Sequence, residues 1–124
     1  MRTLLISIAA LLCAVNAWAC NCFSPEMKAK TARDTLELAR LAVYGQVSET
    51  RPDGSALLLV LEVFKGAEKG SIIVIEPGEG NCAPRRPKVN DTLLLLGFES
   101  PPTACGAYEP EHFLLEEFRR PKFR

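Results

Sequence analysis

Five cysteines and a single histidine are the residues of this chain best able to do chemistry, and their spacing sorts them. Cys20-Asn21-Cys22 sets two thiols one residue apart, Cys82 and Cys105 stand alone, and Cys13 sits in an apolar run near the start. Four thiolates can hold zinc, but such a site usually shows two Cys-x-x-Cys pairs, not one Cys-x-Cys and two isolated residues. In an oxidising compartment an even set reads as two disulfides. Cysteines two apart on an extended segment point badly for bonding to each other. Cys20 and Cys22 are therefore expected to divide Cys82 and Cys105 between them, which leaves two of the three connectivities open.

The compartment follows from what precedes Cys20. Arg2 supplies a positive start, Leu4 to Val15 a short apolar run, and Ala17-Trp18-Ala19 small residues three and one before a cut. This is the pattern of a secretory signal over residues 1–19. Its apolar run falls short of the roughly 18 to 20 residues that span a bilayer, and no later stretch reaches that length. Cleavage removes nineteen of 124 residues, leaving 105 as one domain, 20–124, with Cys20 first and Cys13 lost. Loss of Arg2 leaves fourteen basic against fifteen acidic residues, a balance with no electrostatic case for nucleic acid. The expected location is secreted or periplasmic. A lipid anchor on Cys20 is the rival cut, but Trp18 is bulky where anchor signals are small, and acylation would strand one of the remaining three thiols.

No catalytic constellation is legible. His112 lies beside Glu111 with no serine or free thiol placed near it by any motif, and a lone histidine at a polar helix start reads as a solvated surface residue. No phosphate loop appears, and no cofactor is expected. The basic runs Arg85-Arg86-Pro87-Lys88 and Arg119 to Arg124 are broken by proline and carry acidic neighbours, so they read as a solvated loop and tail.

The elements that must position the cysteines are mostly strands. Ser24 caps a helix that starts at Pro25, buries Met27, Ala32, Leu36 and Ala39, and ends near Arg40. Leu41 to Val47 reads as a strand with a bulge at Gly45, and Pro52-Asp53-Gly54 as a turn. Ala56 to Phe64 and Ser71 to Glu76 form a hairpin through Lys65-Gly66 and Lys69-Gly70. A long loop from Pro77 to Lys88 carries Cys82. Thr92 to Phe98 is a further strand, a proline-rich loop brings Cys105, and Glu109 to Phe118 is a short final helix. Strands joined by short turns, with a helix at each end, predict a mainly β fold: a small, closed or partly closed antiparallel barrel, with a sandwich as the alternative.

With these residues in place, the chain resembles the netrin-like domain of the tissue inhibitors of metalloproteinases. The likeness is carried by Cys20-Asn21-Cys22 at the cut, Val43-Tyr44-Gly45-Gln46-Val47, Val63-Phe64-Lys65-Gly66, Cys82 in the next long loop, and Val89 to Gly97 before Cys105. It spans most of the mature chain. The third bridge and second domain of animal inhibitors are absent, Ala83 follows Cys82 where glycine is common, and Asn21 stands in place of Thr or Ser. The resemblance implies a five-stranded OB-like barrel stapled by two disulfides, Cys20 with Cys82 and Cys22 with Cys105. It also implies a protein-binding module without enzyme activity, whose partner is an extracellular or periplasmic protein of the zinc metalloprotease class. Cys20 would chelate the target's zinc through its amine and carbonyl oxygen, Asn21 would enter the adjacent pocket, and Cys22 and Phe23 would extend the contact. The competing class is a structural or adaptor domain of the cell envelope that binds through its barrel surface.

Overall fold

The computed structural model describes residues 24–78 and 86–121. Cys20, Asn21, Cys22, Phe23 and Cys82 lie outside the described residues, as do the expected signal and the first part of the basic run at Arg85.

Helix α1 (Pro25–Leu38) begins where the sequence predicts: Ser24 is extended and its hydroxyl accepts a hydrogen bond from Met27 N–H at 3.2 Å, with proline at the first helical position. The buried face agrees with the expected one at Ala32 and Ala39, with Leu36 half-buried, and differs at Met27. Ala29 and Ala32 are buried while Met27 is 52% exposed: the small residues lie on the side that packs with the C-terminal helix, and the longer methionine is turned outward. The helix stops at Leu38, and Lys65 Nζ donates to the carbonyls of Leu36 at 2.6 Å and Glu37 at 3.2 Å, satisfying acceptors of its last turn.

Five strands follow: β1 (Leu41–Thr50), β2 (Ala56–Lys65), β3 (Ile72–Ile75), β4 (Thr92–Gly97) and β5 (Ala107–Tyr108). They form one antiparallel sheet in the order β3-β2-β1-β4-β5. The predicted bulge at Gly45 is present as a register shift between Tyr44 and Gly45. A side chain there would run into the Leu59 carbonyl and the Leu58 side chain, so only glycine lets the two strands approach.

Among the described residues the sheet is not closed, which corrects the expectation of a closed barrel. β5 has two residues and, among the described residues, pairs only with β4. Between the two edges the described residues make one isolated parallel bridge, with Glu76 N–H donating to Pro102 O and Ala104 N–H donating to Glu76 O, both at 2.9 Å. The physical reason lies in Pro101-Pro102, which have no N–H to give a ladder, and in the 3₁₀ turn Ala104–Gly106, which carries the chain away from β3. β5 itself, at two residues, is too short to show an alternating pattern in the sequence.

Two apolar layers lie on the two faces of the sheet. Val43, Val47, Ala56, Leu58, Val60, Ile75, Leu93 and Leu95 form one. The other joins Ala32 of α1, Ala42 of β1 and Leu94 and Leu96 of β4 to Leu114, Leu115 and Phe118 of helix α2 (Phe113–Arg119). The unbroken run Leu93 to Leu96 thus belongs to a strand covered on both faces. Helix α2 starts four residues later than expected, because Glu109 to His112 forms a turn closed by His112 N–H donating to Glu109 O at 3.0 Å.

Candidate functional site

Among the sequence-predicted site residues, Cys105 is the one the structure describes. It is disulfide-bonded, and its partner lies outside the described residues, so no bridge between described cysteines is seen and the pairing is left to the resemblance. Cys105 sits in the 3₁₀ turn between β4 and β5. Thr103 Oγ1 accepts from Cys105 N–H at 3.3 Å and Thr103 O accepts from Gly106 N–H at 3.0 Å. The turn is pressed on the sheet: a side chain at position 106 would overlap the Leu96 carbonyl. Glu76, at the end of β3, holds the same loop from the other side through Pro102 and Ala104.

Two clefts flank this end of the molecule, and Tyr108 lines both. The smaller, about 210 Å³, lies between Tyr108 and the loop after β4, next to Cys105, with Phe98 on its rim. Phe98 is 47% exposed and lies just beyond β4, which ends at Gly97, one residue before the expected end, ahead of the Pro-Pro loop. The larger, about 650 Å³, runs from Arg86 and Asp91 to Glu109 and Glu111. Asn90 at its edge has a left-handed backbone, φ 74°, a conformation asparagine tolerates in turns. The turn is held by Asn90 N–H donating to Val47 O at 2.8 Å and Lys88 N–H donating to Asp91 Oδ2 at 3.0 Å.

His112 is not a solvated surface residue. It is half-buried, stands between the rings of Tyr108 and Phe113 at 4.8 and 4.9 Å, and caps α2 by accepting Leu114 N–H on Nδ1 at 3.3 Å. Burial lowers its pKa below the usual 6.5. The cap requires neutral Nδ1, so both effects favour the uncharged ring. Among the described residues no three His, Cys, Asp or Glu side chains gather to hold a metal, and no helix is long and apolar enough to cross a membrane.

On the opposite edge of the sheet, Ile72 and Val74 of β3 are 53% and 36% exposed and lie opposite half-buried Leu59 and Leu57 of β2. None of the four belongs to either apolar layer. Comparison with protein-family models, with curated proteins and with solved structures finds no match to this chain.

Proposed function

We propose that this is an exported protein-binding module of the netrin-like kind, cut before Cys20, whose N-terminus blocks a zinc metalloprotease. The observation that carries the reading is the disulfide at Cys105, in the turn after β4 where the resemblance expects the second N-terminal bridge. The strand order and the parallel bridge from Glu76 to Thr103 support an OB-like strand arrangement that is left open on its last side. In this reading Cys20 pairs with Cys82 and Cys22 with Cys105, and the pinned terminus binds with little ordering cost. The Cys20 amine has a pKa near 7.7 to 8, so a useful neutral fraction is present at pH 7 to displace a zinc-bound water. Asn21 fits a deep apolar pocket poorly, so inhibition of animal-type enzymes is narrow or weak.

The test compares the mature protein with a form carrying one extra alanine before Cys20, against a panel of zinc proteases. Inhibition by the first and its loss by orders of magnitude in the second is the expected result; equal inhibition by both, or by neither, removes the mechanism. The exposed aliphatic side chains on β3 favour a second reading, an envelope adaptor that binds through its sheet surface and is indifferent to the extra alanine.

A further inference from the structure

We infer that residues 107–112 form an acid-released wall of the larger cleft, latched against the sheet by the neutral ring of His112. The segment runs between two fixed points. At its start Cys105 is disulfide-bonded and Gly106 is pressed against the Leu96 carbonyl; at its end Leu114, Leu115 and Phe118 are buried in the outer apolar layer. Between them β5 pairs with β4 at two positions, Leu94 with Tyr108 and Leu95 with Ala107, a ladder short enough to open locally while the rest of the sheet stays folded. His112 ties this segment to α2. Its ring lies between Tyr108 of β5 and Phe113 of α2 at 4.8 and 4.9 Å. Its Nδ1 accepts Leu114 N–H at 3.3 Å and its carbonyl accepts Leu115 N–H at 3.2 Å.

The cap works in one charge state only. Protonation turns Nδ1 from an acceptor into a donor, which sets an N–H against the Leu114 N–H it now accepts. The ionisable groups on the elements packed here are Tyr108 of β5, Glu109 and Glu111 of the turn, and Glu116 in the first turn of α2. Burial, and none of these groups, is the cause that holds the His112 pKa below its usual value, so the closed position disfavours the charged ring. Release of the segment hands the ring to water, where it takes up a proton near pH 6.5. The closed form is therefore favoured above about pH 6.5 and loses ground as the pH falls toward and through the folded pKa. Tyr108, Glu109, Pro110 and Glu111 line the larger cleft, so release moves one of its walls while Cys105 and the end of α2 hold the segment at both ends.

The test is amide hydrogen exchange of the mature chain by NMR at pH 7.5 and pH 5, corrected for intrinsic exchange rates. Protection at Leu114 and Leu115 is expected to fall at least about fivefold more than protection at Val43 in β1. The fall should share its midpoint with the titration of the His112 ring protons and be accompanied by shift changes from Tyr108 to Glu111. His112→Asn keeps a capping side chain and cannot titrate, so its Leu114 and Val43 protections should change in parallel. His112→Ala should show low protection at Leu114 at both pH values. Equal falls at Leu114 and Val43 in the natural protein, or a pH effect at Leu114 that survives in His112→Asn, overturns the latch. A fall at Leu114 with no shift changes from Tyr108 to Glu111 overturns the moving wall. The inhibitor reading plays no part in any of these results.

Discussion

Arg119, the last residue of α2, meets both carboxylate oxygens of Glu62 on β2, with Nε to Oε2 at 3.1 Å and Nη2 to Oε1 at 2.5 Å, while its guanidinium lies 4.9 Å from the centre of the Tyr44 ring. The hydrogen bond to Glu62 is the main cause that raises the Arg119 pKa. The pair fastens the final helix to the sheet over the outer apolar layer, where Phe118 meets Phe64 at 5.4 Å.

Both partners are partly solvated, with side-chain exposures of 42% and 33%, so the ion pair is worth about 1 kcal/mol or less after screening. Glu62→Gln is expected to lower stability by that amount in urea titrations and to lose much of its effect in 1 M salt. Arg119→Ala also gives up the contact with Tyr44 and is expected to cost more than Glu62→Gln at every salt concentration. Equal effects of the two variants would refute the ring contact as a contributor.

Gly66 and Gly70 test backbone strain against crowding. Both have positive φ, 79° and 85°, but a side chain at 66 would strike the Arg40 carbonyl whereas one at 70 meets nothing within 4 Å. Gly70→Ala is expected to cost about 1 kcal/mol from the left-handed conformation alone. Gly66→Ala should exceed it by at least about 1 kcal/mol, since the hairpin must move off the segment after α1. Thermal midpoints of the two variants decide this.

His112 makes stability depend on pH in a definite direction. Its folded pKa is below the unfolded value near 6.5 because burial disfavours the imidazolium. Between the two values the unfolded chain binds a proton that the folded chain does not. The contribution is therefore complete above about 6.5 and declines as the pH falls toward and through the folded pKa. His112→Asn keeps a capping side chain but cannot titrate. Urea midpoints at pH 7.5 and pH 5 should fall further in the natural protein than in the variant; parallel declines would assign the effect to other groups.

A covalent prediction concerns Cys105. If Cys22 is its partner, the bridge closes a loop of roughly 80 residues and contributes on the order of 4 kcal/mol, a large part of a small domain's roughly 5 to 15 kcal/mol. Replacing Cys22 and Cys105 together by serine should leave mostly unfolded chain at 37 °C. A peptide map joining Cys105 to Cys20 would overturn the pairing.

Much of the local architecture was legible in the sequence because it is decided by residues within a few positions of one another. Ser24-Pro25 opens α1, and Pro52-Asp53-Gly54 makes a turn in which Ser55 N–H and hydroxyl both donate to Asp53 Oδ1 at 2.9 and 2.6 Å. The β-branched run after Gly70 makes β3 because such side chains suit a pleated strand. Bounds moved by one to three residues in the strands for the same reason that ends fray.

What the tertiary structure decided are the choices that depend on a distant surface. The rotation of α1, which buries Ala29 and turns Met27 out, is set by the apolar layer it shares with α2 and not by its own periodicity. Thr92 to Gly97 could be called a strand, but that Leu93 and Leu95 face one layer while Leu94 and Leu96 face another required helices on the outer side. The role of His112 as a cap needed Tyr108 and Phe113 beside it. Whether the sheet closes was decided between Glu76 and Thr103, 27 positions apart in the chain and joined by a single bridge. Local dihedral preference says that a segment is extended, and only the packing of remote segments says what it is extended against.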